Sequence, residues 1–373
     1  MCISPLYVTR PSLPPLERFQ ELLADIWDRQ WLTNNGHYHQ RLEAELADYL
    51  GVPFLSLFCN GTIALQVALQ ALEVTGEVIT TPFSFPATVH AIQCAGCRPV
   101  FCDVDPKTGN LDPARIESAV SVETSAILPV HVYGTPCDTR EIQRIANRNG
   151  LAVLYDAAHA FGVKQEEQSI LNRGDLSMLS FHATKVYNTI EGGALVAKTA
   201  EKKQRIDRLK NFGIASETEV VDAGTNGKMN EVQAAYGLLA LESVDREIAK
   251  RLRRSDQYRA RLRDVPGLRA LDPRDDVQPN GAYFPIFVDA KPFGLSRDQL
   301  YESLREQGII ARRYFYPLIS EFPMYADMPG AAPENLPHAS RISREVLCLP
   351  LFADMSETDV DRVTDAIREA ANV

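Results

Sequence analysis

The hydrophobic and polar positions of the chain follow two rhythms. A helical period opens it, in LERFQELLADIWDRQ and again in YHQRLEAELADYLG, where Gly51 supplies a stop. From residue 54 onward short β-rich runs alternate with amphipathic segments: FLSLF, a helix over 61–72, EVITT, a helix over 87–95, RPVFCDV, a helix over 113–120, SAILPVHV, a helix over 138–149, and LAVLYDA. Runs that are apolar without strict alternation, each followed by a helix, predict a mostly parallel sheet covered on both faces. Sheets of this kind hold ligands at the carboxyl ends of their strands.

Two further strand-like runs, LSMLSF and GALVAK, precede one long charged helix, NEVQAAYGLLALESVDREIAKRLRRSDQYRARLRDV, that links two domains. After Pro266 the pattern restarts as AYFPIFVDA, a helix over 297–307, IIARRYFYP and a last helix over 356–371. The expectation is an α/β protein with a large domain over 1–245, N-terminal helices included, and a smaller α+β domain over 246–373.

Composition narrows the class. With 45% hydrophobic and 24% charged residues in 373, the chain has the make-up of a soluble globular protein. A formal charge of −10 speaks against nucleic acid as its main partner, since a phosphate polymer needs a broad basic surface. The arginines of 251–263 are interleaved with Asp245, Glu247, Asp256 and Asp264, the pattern of a solvated helix face. No run of 18 apolar residues and no leader-type apolar segment is present, so no membrane partner and a cytoplasmic location are expected. Seven cysteines, Cys2 among them, are an odd and scattered set that predicts reduced thiols. Cys94 and Cys97 have zinc-like spacing but no second pair, and their flanks read as helix end, glycine turn and strand, which makes both core residues.

Candidate chemistry gathers at strand ends. FLSLF leaves through Asn60-Gly61-Thr62 into a helix, where free N–H groups and a hydroxyl make either a phosphate seat or a plain N-cap. Asp156 ends an apolar strand three residues before His159; it can hold a ring nitrogen protonated or cap the next turn. Lys185 follows Ser180 at the end of LSMLSF, and a lysine among apolar walls loses charge and attacks carbonyl carbon. Taken singly each is ordinary. Together with the aromatic Phe85 they supply the four parts that pyridoxal phosphate requires. The rivals fail: no G-x-G-x-x-G follows a strand, and DAGTNGKM lacks the first glycine and the hydroxyl of a Walker loop, so GTNGK reads as a tight turn.

These residues resemble the DegT/DnrJ-type nucleotide-sugar aminotransferases of the aspartate aminotransferase fold. The likeness runs through NNGHYHQRLEAELADYLG, CNGTIALQVAL, TPFSFPATVHAI, AGCRPVFCDVDPKTGNLD, PVHVYGTPCD, YDAAHAFG, SFHATKVYNTIEGGAL, LKNFGI, NGKMNEVQAA, RRYFYPL and LCLPLF, nearly the whole chain. The resemblance implies fold type I with a seven-stranded type of sheet, pyridoxal 5'-phosphate as cofactor with a pyridoxamine phosphate form in turnover, and Lys185 as its Schiff-base and proton-shuttling residue. It implies that Asp156 pairs with the ring nitrogen, Phe85 covers one ring face, His159 lies near the other, and Gly61, Thr62 and Ser180 bind the phosphate. Asn211 of NFG would reach the phosphate of a neighbouring subunit, making a homodimer with shared sites.

Family members that are dehydratases carry histidine in place of this lysine, so Lys185 implies amino transfer, with glutamate as donor and a nucleotide-linked keto-deoxy sugar as acceptor. The SFHATKVYNTIEGG wording is most similar to enzymes that aminate carbon 4 of dTDP-4-keto-6-deoxyglucose, in deoxyamino-sugar biosynthesis of the O-antigen lipopolysaccharide type. Carbon-3, UDP-sugar and keto-inositol acceptors, and a non-catalytic regulatory role, stay as alternatives. For the sugar the candidates are Asn34, His37, Glu191, Arg313 and Tyr316, although Tyr316 can simply pack and Glu191 can simply cap its turn. Pro317-Leu318-Ile319 departs from the pattern, lacking the histidine that many relatives place after Pro-Leu.

Overall fold

The computed structural model describes residues 4–272 and 274–371, which leaves Cys2 outside the described residues. Seven strands form the central sheet: β1 (Phe54–Phe58), β2 (Glu77–Thr80), β3 (Arg98–Phe101), β4 (Thr124–Leu128), β5 (Ala152–Asp156), β6 (Leu176–Ser180) and β7 (Gly193–Ala197). Their spatial order is β1-β7-β6-β5-β4-β2-β3. Only β7 runs against its neighbours; the other pairings are parallel. The sheet is the mostly parallel one that the unalternating apolar runs predict, and both faces are packed, because all five positions of β7 and the last four of β1 and β5 are buried.

The helices before and between the strands start and stop where local chemistry dictates. They are α1 (Leu16–Arg29), α2 (His37–Leu50), α3 (Gly61–Ala71), α4 (Pro86–Cys94), α5 (Pro113–Ala119) and α6 (Thr139–Asn149), and the four predicted within the alternating stretch end within one residue of expectation. Asn60, Asp112 and Asp138 each accept a hydrogen bond from a first-turn N–H of α3, α5 and α6. Gly51 and Gly150 close α2 and α6 at φ of 63° and 65°, where a Cβ would be strained.

The structure corrects three expectations. The long charged stretch is two helices, α8 (Glu231–Leu241) and α9 (Val244–Leu262), after an α7 (Ala200–Leu209) that was not predicted. The break at Glu242-Ser243 contains neither glycine nor proline, so periodicity carries no sign of it. GTNGK is an extended segment whose Asn226 bridges Asn211 and whose Gly227 carbonyl accepts from the Cys59 N–H at 2.8 Å, not a tight turn. Cys97 is buried as expected, but Cys94, on the last turn of α4, is exposed; the six described cysteines are all free.

The C-terminal part carries a three-stranded antiparallel sheet of β8 (Leu268–Ala270), β9 (Phe284–Val288) and β10 (Val346–Leu349), flanked by α10 (Arg297–Glu306), α11 (Pro337–Glu345) and α12 (Glu357–Ala370). Of IIARRYFYP only Ile309–Ile310 is a strand, and it pairs in parallel with Leu6–Tyr7, so Leu6 joins the core formed by Tyr258, Phe284 and Leu304. Among the described residues no helix is long and apolar enough to cross a membrane.

One buried carboxylate joins the N-terminal helices to the rest. The N-cap of α2 is Gly36, which has no side chain to offer, and Glu231 from the start of α8 takes its place: its Oε2 and Oε1 accept from the N–H groups of Tyr38 and His39, both at 2.8 Å. Glu231 is 1% exposed, so both bonds are charge-assisted in a dry setting at the positive end of a helix. Glu231→Gln turns one of the two acceptors into an NH2 group facing an N–H. It should lower stability by about 2 kcal/mol, read as a drop in the denaturant midpoint with little change in slope.

Candidate active site

The carboxyl ends of β1, β5 and β6 open into a cavity of about 240 Å³ walled by Asn60, Gly61, Thr62, Ser84, Phe85, Asp156, His159, Ser180, Lys185 and Glu191, and closed by Tyr283, Tyr314 and Phe315 from the C-terminal part. It is not the largest depression on the molecule; it is the one in which the strand ends converge. Asn60 is an N-cap, its Oδ1 accepting from the Ile63 N–H at 2.9 Å, and the start of α3 faces the cavity. The approach is close. A Cβ on Gly61 would lie 3.0 Å from Met178 Sδ and 3.3 Å from Ser180 Cβ, and one on Gly193 would lie 2.8 Å from the Gly61 nitrogen. Glycine at both positions sets the first turn of α3 directly on the ends of β6 and β7 and leaves a cradle of backbone N–H groups suited to an anion.

Asp156, the last residue of β5, is 4% exposed. Its Oδ2 accepts from Thr88 Oγ1 at 2.8 Å and its Oδ1 from the Ala158 N–H at 3.1 Å, so it caps the following turn and still lines the cavity. Burial raises its pKa, opposed by those two donors and by the positive charge of Lys185. His159 is buried, and its Nδ1 accepts from the Tyr133 N–H at 3.2 Å, which leaves the proton on Nε2. Burial, and to a lesser degree Lys185, holds its pKa well below the usual imidazole range, so the ring is neutral. Its faces and edges meet Phe315, parallel at 5.9 Å, and Tyr283 at 4.8 Å.

Lys185 turns back from β6 through a bond from its N–H to the His182 carbonyl, 2.8 Å, and its Nζ lies 3.4 Å from Tyr283 Oη. Burial pushes its pKa down to about 8, with Asp156 and then Tyr314 pulling the other way. Phe85, the N-cap residue of α4, keeps 58% exposure at the cavity rim. The Glu191 carbonyl steadies the turn by accepting from Thr189 Oγ1 and Gln233 Nε2 at 2.8 and 2.7 Å; its carboxylate faces the cavity 3.6 Å from His182 Nε2.

The remaining expected residues lie elsewhere. Asn34 and Asn211 line a second depression of about 520 Å³ with Lys210 and Lys228, and Asn211 Oδ1 accepts from Lys228 Nζ at 2.8 Å. His37 opens α2, exposed, with its ring edge-on to Tyr38 at 5.1 Å. Arg313 does not enter the cavity: its Nε is 2.8 Å from Asp298 Oδ1 and its guanidinium lies 3.9 Å over the Tyr301 ring, so the charge is already paired on α10. Tyr316 is 43% exposed, with the Arg297 guanidinium 4.7 Å from its ring centre. The structure adds wall residues that sequence reasoning passed over, Ser84, His182, Thr184, Tyr283, Tyr314 and Phe315, and Thr88 bonded to Asp156 behind the wall. Tyr314 and Phe315 sit inside the quoted RRYFYPL, next to residues singled out there; Tyr283 reads in sequence as ordinary strand core.

An amine of lowered basicity, a buried carboxylate and an anion cradle of glycines meet the needs of an aldehyde, a basic ring nitrogen and a phosphate in one ligand, which is the chemistry of pyridoxal phosphate. Fold and site together define a pyridoxal-phosphate-dependent aminotransferase. Residues 16–368 match the model of the DegT/DnrJ/EryC1/StrS aminotransferase family, and the chain belongs to that family. It is 51% identical over 365 residues to a dTDP-4-amino-4,6-dideoxy-D-glucose transaminase of Shigella dysenteriae, covering 98% of this chain and 99% of the relative. It is 48% identical over 358 residues to one of the same name from Escherichia coli, covering 96% of each. The structure is similar to that of DesI in the presence of its TDP-sugar product, with a TM-score of 0.94, 37% identity and coverage of 99% of this chain and 93% of that one.

A pKa near 8 leaves about a tenth of the Lys185 amine neutral at pH 7, against one part in a few thousand for an ordinary lysine. The rate at which apoprotein attaches pyridoxal phosphate, trapped with borohydride and located on Lys185 by peptide mass, should therefore climb as pH rises to about 8 and then level off. A rate still climbing steeply well above that value would show an unperturbed amine.

Proposed function

We propose that this protein transfers an amino group from glutamate to dTDP-4-keto-6-deoxyglucose, giving dTDP-4-amino-4,6-dideoxyglucose, as a cytoplasmic homodimer supplying deoxyamino sugars of the kind built into O-antigen lipopolysaccharide. The observation that carries the reading is the Lys185 amine in one buried cavity with the Asp156 carboxylate, in a chain about half identical to transaminases named for that sugar. In this reading residues 1–245 are the cofactor domain and 246–373 the smaller domain, with Leu6–Tyr7 crossing to the latter.

The chain's own groups divide the work. Gly61, Thr62 and Ser180 seat the phosphate at the start of α3, and Asn211, which lines a separate depression on its own chain, serves the site of the second subunit. Phe85 and His159 bound the ring on its two sides, the histidine contributing a neutral surface because burial keeps it uncharged. When bound, the cofactor supplies an aldehyde for amine exchange and a ring that takes up the negative charge left when a proton leaves the substrate carbon. Asp156 holds a proton at the ring nitrogen, which strengthens that uptake. The Nζ of Lys185, basic enough to take a proton and weak enough to return it near neutral pH, would carry the proton that leaves the substrate carbon. Tyr283, Tyr314 and Phe315 exclude water from that transfer. Glu191 is at the mouth, placed to meet a sugar hydroxyl; Asn34, His37 and Tyr316 are exposed on the single chain and are assigned to the dimer's sugar side.

Purified protein given cofactor, glutamate and a panel of dTDP- and UDP-keto sugars and inososes should aminate the dTDP-4-keto-6-deoxy sugar fastest, with product identified by mass and NMR. Lys185→Ala should lower turnover by at least about a thousandfold, since it removes both nucleophile and proton carrier. Preference for a keto-inositol or a carbon-3 ketone would overturn the substrate assignment, and full activity in the variant would overturn the mechanism.

A further inference from the structure

Asp156 is reached from behind by a line of two hydroxyls. Ser84 Oγ lies 2.7 Å from Thr88 Oγ1, and Thr88 Oγ1 lies 2.8 Å from Asp156 Oδ2; the three residues are 4%, 0% and 4% exposed. Ser84 also lines the cavity. The direction of the chain follows from counting protons. An ionised carboxylate has none to give, so the single proton of Thr88 points at Asp156, and Ser84 must then donate to Thr88. The other oxygen, Oδ1, is taken by the Ala158 N–H.

We infer that Thr88, backed by Ser84, is a positioning residue that keeps Asp156 an ionised, correctly turned acceptor inside a dry pocket, so that the carboxylate is ready to hold a protonated ring nitrogen. The inference rests on the cofactor reading above. Its physical need is plain: burial alone favours the neutral acid, and a neutral acid cannot hold a cation. The other titratable groups on neighbouring segments cannot replace Thr88. His159 is neutral; His131, whose N–H bonds the Asp156 carbonyl, is pushed by burial down to about 3; the phenols of Tyr133 and Tyr283 are held in their neutral form by burial. Burial also raises the Tyr314 phenol. Among the described residues Lys185 is the one cation acting on Asp156, and its charge is lost whenever its amine is engaged or deprotonated. The Thr88 hydroxyl and the Ala158 amide are the donors that stay.

The substitution that tests this is Thr88→Val, which keeps the shape and removes the donor, beside Thr88→Ser and Ser84→Ala. In apoprotein the sign is fixed by linkage. Protonated Asp156 contributes stability that is lost as pH rises through its folded-state value, and this loss is greater without the Thr88 donor. The melting-temperature gap between wild type and Thr88→Val should therefore be small at acid pH and widen toward neutral, with Thr88→Ser restoring wild-type behaviour and Ser84→Ala moving the same way by less. In loaded protein Thr88→Val should bind pyridoxal phosphate about tenfold or more weakly, as expected for a lost hydrogen bond to a charge. Its cofactor absorbance, titrated with pH, should also show the ring nitrogen losing its proton at lower pH. A gap that is the same at every pH, or a Thr88→Ser variant that behaves like valine, would overturn the inference and leave Thr88 a packing residue. Wild-type protein that fails to capture the cofactor, while the apoprotein gap still widens with pH, would instead defeat the cofactor reading and leave the hydroxyl relay as a device for keeping a buried acid charged.

Discussion

The structure turns on two opposite charges removed from water into one cavity. Burial drives Asp156 toward the neutral acid and Lys185 toward the neutral amine, while each pulls the other back toward its charged form. Neither force alone gives chemistry. A lysine in water stays an ammonium at neutral pH, and an isolated buried carboxyl stays protonated; the pair in a shared dry space sets an amine near its working pH against an acid with two donors holding it. The register between β5 and β6 brings this about, because Asp156 stands opposite Met178, two residues before the strand ends at Ser180 and the chain turns back to Lys185.

That geometry asks for backbone in places where side chains would normally sit. Gly61 and Gly193 let the start of α3 rest on the ends of β6 and β7, and a methyl at either would push that turn off the sheet. Asn280 does similar service on the other side. Its amide donates to the carbonyls of His159 and Phe161 at 2.9 and 3.0 Å and its Oδ1 accepts from Ala282, so the segment that delivers Tyr283 is tied to the loop that delivers His159.

The parts of this site legible in the sequence are those whose role is set by position along a strand. Asp156, Ser180 and Gly61 fall at strand ends or the first helical residue after one, and Lys185 follows within one turn, so the switch from apolar run to polar turn marks them. Thr88 and Tyr283 are 68 and 98 positions from the residues they bond, and no local pattern connects such pairs. Arg313 shows the opposite failure. In sequence it is a cation beside two aromatics, inviting an anionic ligand, and only the fold reveals Asp298 beside its guanidinium. The break between α8 and α9 escaped for a related reason: the chain breaks at Glu242-Ser243, just before the core residue Val244, with no glycine or proline to mark the spot.

The C-terminal part also explains why the site cannot be a property of the sheet alone. Tyr314 and Phe315 follow Ile309–Ile310 and Tyr283 precedes β9, so three of the walls that dry the cavity come from outside the central sheet, Tyr283 from beside a second one. That second sheet is itself anchored by Arg251, a fully buried cation whose Nη1 donates to the Leu351 carbonyl at 3.0 Å and whose own pKa burial lowers to about 10. A guanidinium is costly to hide, and it is hidden where α9 meets the strand-end turn after β10. Arg251 packs against Gly281, two residues before Tyr283, so loosening there would move that ring and admit water to Lys185, returning its amine toward the basicity of an ordinary lysine. The low basicity of that amine is thus a property of both halves of the molecule, maintained by packing far from the lysine itself.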